Sequence, residues 1–312
     1  MHQRGARPPL LIPLTIAIAL TATAAAQTPR SAISWGLNTV PYFAPGTSFK
    51  AISAGDVGQG LQGHTLAVKQ DGTVLAWGCN SYGQATPPTG LRNVIAVAAG
   101  QYHSLALKQD GTVVGWGGTS FAGEANVPQG LAGVVAIAAG TYHSLALKQD
   151  GTITPWGSDG FGQTSIPQGL SGVIAIGASY TYSLALKQNG TVVAWGYSSA
   201  NGATNVPSGL SGVTAISAGG NHCVALKQNG TVVAWGDNSS KQINVPSGLS
   251  GVVAVAAGGS HTLALKQDGT VIAWGDNSSG QTNVPSGLSG VIAIAAGGAH
   301  SIALKQDGTI VK

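Results

Sequence analysis

The chain has 312 residues, 48 of them Gly and 14 Pro, and only 8% are charged, against about 25% in ordinary soluble domains. Hydrophobic residues reach 43%, enough for a packed core, so a disordered chain is excluded, and the shortage of helix formers excludes coiled coils and helical bundles. The formal net charge is +4, two of whose cations, Arg4 and Arg7, lie in the N-terminal segment, so no basic face for nucleic acid or another polyanion is expected.

Arg4 and Arg7 precede an apolar run from Leu10 to Ala22, and small residues follow in Thr23-Ala24-Ala25-Ala26-Gln27. This is the tripartite pattern of a secretory signal, with cleavage expected after Ala26. A retained anchor is the alternative, although the run is short of the ~20 apolar residues of a span and contains Pro13. The reading divides the chain into a signal at 1–26 and one domain at 27–312, secreted or periplasmic. No membrane association is expected after cleavage, since Gly interrupts every later apolar run. Cys79 and Cys223 fall in different repeats, about half a circuit apart in the architecture argued below, too far to bridge.

Beyond that segment the sequence repeats. Trp-Gly recurs at Trp35, Trp77, Trp116, Trp156, Trp195, Trp235 and Trp274. A second marker runs through His64, His103, His143, Tyr182, His222, His261 and His300, and Lys-Gln-Asp/Asn-Gly-Thr starts at Lys69 and at six later lysines. Three markers with one period near 40 residues mean a solenoid, a propeller or an array.

One unit decides among them. Val252 to Gly258 is a small apolar run, Thr262 to Lys266 follows Gly-Ser-His, and Asp268-Gly269 leads into Thr270 to Gly275. Asp-Gly or Asn-Gly between β-branched runs is the strongest short hairpin signal. Three strands, with a fourth and weaker one at Gln-Thr-x-Val-Pro, make a propeller blade. The expected fold is therefore all-β, a seven-bladed β-propeller of four-stranded antiparallel blades. Ala32 to Gly36 is a third strand without a blade before it, and the last repeat lacks its Trp. An N-terminal strand completing the C-terminal blade would close the ring and hide both edges. Ser31–Ser34 and Thr309–Lys312 then compete for one place; a piece of a longer array is the alternative.

Trp-Gly-Asp-Asn-Ser-Ser-Gly-Gln (274–281) and Ala-Ala-Gly-x-Tyr-His-Ser-Leu-Ala-Leu-Lys (98–108 and 138–148) resemble the regulator of chromosome condensation repeat. The resemblance spans about residues 31 to 312. It implies seven blades and the same terminal strand closure. The spelling Val-Pro-x-Gly-Leu-Ser-Gly-Val-x-Ala-Ile is most similar to bacterial secreted members, one kind of which holds a β-lactamase against one propeller face. The founding eukaryotic members bind chromatin and promote nucleotide exchange on a small GTPase; the export signal and the lack of a basic tail point away from that activity.

In a meander, turns alternate between the two faces of the disc. Lys-Gln-Asp-Gly-Thr and Pro-x-Gly-Leu barely vary, which marks scaffold; the Gly-x-x-His turn and the segment after Trp-Gly vary strongly, which marks the face free to specialise. Nearly all Tyr and Phe fall there: Tyr42, Phe43, Tyr82, Phe121, Phe161 and Tyr197 after Trp-Gly, and Tyr102, Tyr142, Tyr180 and Tyr182 around the His turn. Such residues anchor protein interfaces and also stack on sugars, or they merely fill space between loops. The first repeat adds a Gly-rich insertion carrying Asp56 and Gln59, a contact loop or drift in a terminal repeat. The expected function is a secreted, non-enzymatic binding module for a protein partner, acting as a monomer without a cofactor. A propeller that binds or degrades extracellular polysaccharide is the alternative. The repeated His are spread round a ring, so a structural hydrogen bond is expected of them and not a metal site. Glu124 and Asp159 stand alone, without the paired carboxylates of a glycosidase.

Overall fold

A computed structural model describes residues 32–37, 40–44, 46–55, 63–119, 121–197 and 201–306. The signal reading, Asp56, Gln59 and the C-terminal Thr309–Lys312 lie outside these residues. Every described element of regular structure is a strand, and none of the described residues forms a helix long and apolar enough to cross a membrane.

Strand β1 (Ala32–Gly36) comes first and stands apart from its neighbours in sequence. Blade one is β2 (Phe49–Ala54), β3 (His64–Lys69) and β4 (Val74–Gly78); blade two is β5 (Val94–Ala99), β6 (His103–Lys108) and β7 (Val113–Gly117). Blade three is β8 (Val134–Ala139), β9 (His143–Lys148) and β10 (Ile153–Gly157); blade four is β11 (Val173–Ala178), β12 (Tyr182–Lys187) and β13 (Val192–Gly196). Blade five is β14 (Val213–Ala218), β15 (His222–Lys227) and β16 (Val232–Gly236); blade six is β17 (Val252–Ala257), β18 (His261–Lys266) and β19 (Val271–Gly275). Among the described residues the last blade has β20 (Val291–Ala296) and β21 (His300–Lys305) of its own, and β1 completes it in antiparallel register, Trp35 opposite Ser301. That register matches Trp156 opposite Ser144 in blade three. The closure expected from the in-phase ends is therefore formed.

The expectation of four-stranded blades needs correction: each sheet has three hydrogen-bonded strands. The segment proposed as the fourth folds back on itself, with Asn126 N–H donating to Gly123 C=O and Val127 N–H to Ala125 C=O. The proline that follows, such as Pro128, has no N–H for a ladder. Its side chains still pack inward, with Val127, Ile166, Val206, Val245 and Val284 against the blade cores.

Seven apolar clusters fill the seven seams, and each contains the Trp of one blade or lies against it. Polar groups cross the same seams. His64 Nε2 lies 2.8 Å from Ser104 Oγ, His103 2.7 Å from Ser144, His143 2.9 Å from Ser183, His222 3.0 Å from Thr262 and His261 2.9 Å from Ser301. His300 reaches round to Thr65 at 2.9 Å, across the closure. The hydroxyl partners of His64, His103, His143, His222 and His261 donate onward: Ser144 Oγ to Glu124 C=O at 2.8 Å, for example, where Trp156 Nε1 donates too, also at 2.8 Å. A hydroxyl that spends its proton on a carbonyl must accept from the imidazole, so these His are neutral Nε2–H tautomers. Their Nδ1 atoms are buried without a hydrogen-bond partner, which suits a bare lone pair and would leave a proton stranded.

Burial accordingly pushes His64, His103 and His261 down to about 3, with like charge on neighbouring His adding to it. It also lowers His143, His222 and His300 to about 4. The Gly before each turn is required by this contact: a Cβ on Gly100 would stand 2.6 Å from His103 Cε1 and 2.5 Å from Gly140 C=O.

The seven inner strands leave an axial cavity of about 70 Å³ lined mostly by Ala, with Ser53, Ser217, Gln101 and Thr141 among its polar residues. That space suits a few waters.

Two outcomes follow for stability. Because folded His stay neutral while unfolded His titrate near 6.5, the unfolded state binds more protons below that pH. Stability is full above pH 6.5 and is lost toward pH 3–4, by up to about 1.4 kcal/mol per pH unit for each His. Melting temperature should fall steeply between pH 6.5 and 4.5; a flat profile would mean that the ring protonates without cost. Ser144→Ala, which strands the His103 N–H, should cost about 1–3 kcal/mol in denaturant unfolding.

Candidate functional site

All strands share one polarity pattern, so their ends define two faces. Lys-Gln-Asp/Asn-Gly-Thr hairpins occupy one face. Asp110 caps its own turn there, accepting from Thr112 N–H at 3.0 Å and from Thr112 Oγ1 at 2.6 Å. The His turns and the loops after Trp-Gly occupy the other, where the sequence copies differ most.

The loops of this variable face are held by one repeated device. In blades one, three, five and six the Gln ending the loop turns back to its backbone: Gln84 Oε1 accepts from Tyr82 N–H at 2.8 Å and Gln163 Oε1 from Phe161 N–H at 2.9 Å. Gln242 and Gln281 do the same for Ser240 and Ser279. The position fixed in this way carries an aromatic ring in blades one and three and a serine in blades five and six. The rings stand on rigid stalks.

Their placement divides the predicted residues. Phe121 is 97% exposed and Tyr42 80%, while Tyr82, Tyr142, Phe161 and Tyr197 are exposed to lesser degrees. Tyr82 meets Tyr102 edge-on at 4.8 Å, and Tyr102 meets Tyr142 at 5.3 Å, so three rings bridge blades one to three. Phe161 and Tyr197 form a second pair at 5.6 Å between blades three and four. Burial, then the Tyr142 hydrogen bond, pushes the Tyr102 hydroxyl up to about 12, so it stays a neutral phenol. Tyr180 is half-buried at the axial mouth, where a Cβ on Gly220 would lie 3.1 Å from its Cε2.

Two predicted residues do not belong to the surface. Phe43 is 8% exposed and packs against Phe49 at 5.0 Å and Trp77 at 5.7 Å, filling the seam left by the closure. Tyr182 is 1% exposed; its hydroxyl donates toward Gly219 C=O at 2.6 Å and His222 C=O at 2.9 Å. It replaces the latch histidine, and its phenol reaches the next blade directly.

Gln101 and Thr141 are members of this face that the sequence analysis did not single out. Both are buried at the axial mouth, with Thr141 Oγ1 donating to Gln101 Oε1 at 3.0 Å and Gln101 Nε2 to Tyr102 OH at 2.9 Å. The position is Gly in blades five to seven (Gly220, Gly259, Gly298). That contrast between copies is where they could have been found.

The carboxylates considered for chemistry serve the loops. Glu124 is fully buried at the looping-glutamine position and accepts from Thr119 N–H at 2.6 Å. Asp159 accepts from Thr164 N–H at 2.8 Å and Ser165 Oγ at 2.6 Å. Among the described residues no three His, Cys, Asp or Glu groups gather as metal ligands would, and both cysteines are free.

Fold and seam chemistry define a closed seven-bladed propeller built from one repeated sequence unit. The chain is a regulator of chromosome condensation repeat protein: the Regulator of chromosome condensation (RCC1) repeat matches at residues 56–84, 94–121, 134–163, 213–242 and 252–281. Among solved structures it is similar to Prp20p of Saccharomyces cerevisiae, at 18% identity over 90% of this chain and 92% of that one, with a TM-score of 0.72. It is also similar to human WBSCR16 (20% identity, 84% and 88% coverage, TM-score 0.65) and to the ectodomain of the Arabidopsis thaliana receptor kinase ACR4 (20%, 80% and 91%, 0.63). These likenesses concern the fold. A comparison with curated protein sequences gave no match.

Surface and seam aromatics should separate in a stability assay. Tyr182→Phe, which removes the one phenol proton shared between two buried carbonyls, should cost about 1–3 kcal/mol, whereas Phe121→Ala should stay within about 0.5 kcal/mol.

Proposed function

We infer that the protein is a non-enzymatic binding module whose variable face holds another protein. The carrying observation is the set of exposed rings on rigid loops over blades one to four: Tyr82, Tyr142, Phe121, Phe161 and Tyr197. Tyr82 and Phe161, whose N–H groups Gln84 and Gln163 hold, are pre-positioned and lose little entropy on binding, as interface anchors do. Prp20p, which shares the fold, is described by its binding to Gsp1p and histones, so this architecture serves protein recognition elsewhere. The N-terminal segment supports an exported location, and the loop roles of Glu124 and Asp159 support binding without turnover.

The test is a crosslinking pull-down with the protein as bait in its own culture fluid, followed by affinity measurement on the captured partner. Combined Tyr82→Ala, Phe161→Ala and Tyr197→Ala should weaken binding by at least about 100-fold, as expected when several anchors of about 1–2 kcal/mol are lost, with the melting temperature nearly unchanged. Undiminished binding would reject the reading. Capture of polysaccharide in place of protein would favour the carbohydrate alternative, since the same rings can stack on sugars.

A further inference from the structure

Net charge hides a segregation that the fold creates. On the hairpin face the solvent-accessible charges are Lys50, Lys69, Arg92, Lys108, Lys148, Lys187, Lys227 and Lys266 against Asp71, Asp110, Asp150 and Asp268. On the variable face they are Asp159, Asp237 and Asp276 against Lys241 alone. Eight cations thus meet four carboxylates on one side of the disc, and three carboxylates meet one cation on the other, among the described residues.

The pairing within the cationic face is uneven. Lys69, Lys108, Lys148 and Lys266 each reach the Asp of their own hairpin at 3.0–3.5 Å. In blades four and five that Asp is Asn189 or Asn229, which still caps the turn by accepting from Thr191 or Thr231. The turn survives and the carboxylate is gone, so Lys187 and Lys227 project from adjacent blades without a hairpin counter-charge.

A second feature of the same face is apolar. Each inner strand starts with a register shift, as between Val134 and Ala136 or between Val252 and Ala254. The bulged residue is pushed outward beside the lysine that pairs with the strand's first residue: Val134 opposite Lys148, Val252 opposite Lys266. Round the ring these positions hold Lys50, Ile95, Val135, Ile174, Thr214, Val253 and Ile292, of which Ile95, Ile174 and Ile292 pack back against the blade cores. Val135 is 50% exposed and Val253 43%. No aromatic ring stands among them for nucleobase stacking, and the cations are lysines, apart from Arg92.

We propose that the hairpin face docks on an anionic lipid surface, with the lysines against headgroups and the bulge aliphatics touching the acyl boundary. A face that combines spread lysines with the exposed aliphatics Val135 and Val253 fits a bilayer surface, for which each nearby Lys contributes additively. The expectation of no membrane association rested on the lack of an uninterrupted apolar span, which docking on a surface does not need. Docking in this orientation leaves the acidic, aromatic face turned outward and free for a partner, and it does not depend on that partner's existence.

The test is co-sedimentation of the full chain with vesicles of neutral phosphatidylcholine or of the same lipid with about 30% phosphatidylglycerol, the level of anionic lipid at which such patches respond. Every variant keeps the same N-terminal apolar run, so differences among variants report the face. Binding should favour the anionic vesicles and weaken as salt rises. Lys187→Gln with Lys227→Gln should reduce it by roughly tenfold, and Val135→Asp with Val253→Asp should reduce it further. Tyr82→Ala with Phe161→Ala should leave it unchanged while abolishing any protein partner. Equal binding to both vesicle types, insensitivity to the lysine pair, or preferential binding of duplex DNA over anionic vesicles would overturn the proposal.

Discussion

The structure depends on a polar latch at the seams between blades. An imidazole N–H from one blade meets a hydroxyl of the next; that hydroxyl donates to a carbonyl in the first blade's outer segment, and the next blade's Trp donates to the same carbonyl. Apolar burial makes the seams stick, but Ala-rich strands can slide past each other with little change in buried area. Hydrogen bonds with fixed donors and acceptors remove that freedom, because a shift would leave buried groups unpaired. The outer segment needs no ladder of its own, since its carbonyl is what both donors hold. His300 and Thr65 repeat the imidazole–hydroxyl contact across the closure, where Trp35 stands opposite Ser301 in the strand pairing.

Blade four shows that the latch behaves as a unit. Tyr182 stands in place of His, Ser179 in place of the preceding Gly, and Cys223 in place of the Ser or Thr on the next blade. The larger phenol reaches Gly219 C=O, Ser179 Oγ donates to the same carbonyl, and Cys223 Sγ lies 3.5 Å from the phenol and 3.3 Å from Ala203 C=O. With no imidazole to satisfy, a hydroxyl at position 223 is unnecessary and a weakly polar thiol suffices. Burial pushes that thiol up to about 12, so it is an inert packing group. Three departures from the repeat thus amount to one coordinated change, and this repeat is absent from those that match the family description.

Much of this was legible because repetition multiplies weak signals. One Asp-Gly or Asn-Gly between β-branched residues signals a hairpin and nothing more; seven in phase leave a propeller as the economical solution, and the unpaired Ala32–Gly36 announces its closure. What stayed hidden is what depends on contacts between copies. Gln-Thr-x-Val-Pro has the alternation of a strand, yet Pro and the turn at Gly123 to Asn126 deny it a ladder. Phe43 and Tyr182 share a residue type and loop location with Phe121 and Tyr82, but one fills the closure seam and the other replaces a latch. Residue type told of aromatic content and could not tell which rings had a neighbouring blade to bury against.

The two faces also differ in what they can change without loss. A residue in the hairpin turn is tied to its own backbone, as Asp110 is to Thr112, so its side chain can lose charge only where an isosteric cap remains; Asn189 and Asn229 are that case. On the variable face the looping Gln bonds to backbone N–H groups, which any residue supplies, so the side chain beside it is unconstrained: Tyr82, Phe161, Ser240 and Ser279 occupy equivalent positions on one scaffold. The same chemistry that stiffens the loops therefore leaves their outward positions open to substitution. Side-chain identity on this face is separable from folding because the fold uses the backbone of those loops and leaves their outward side chains free.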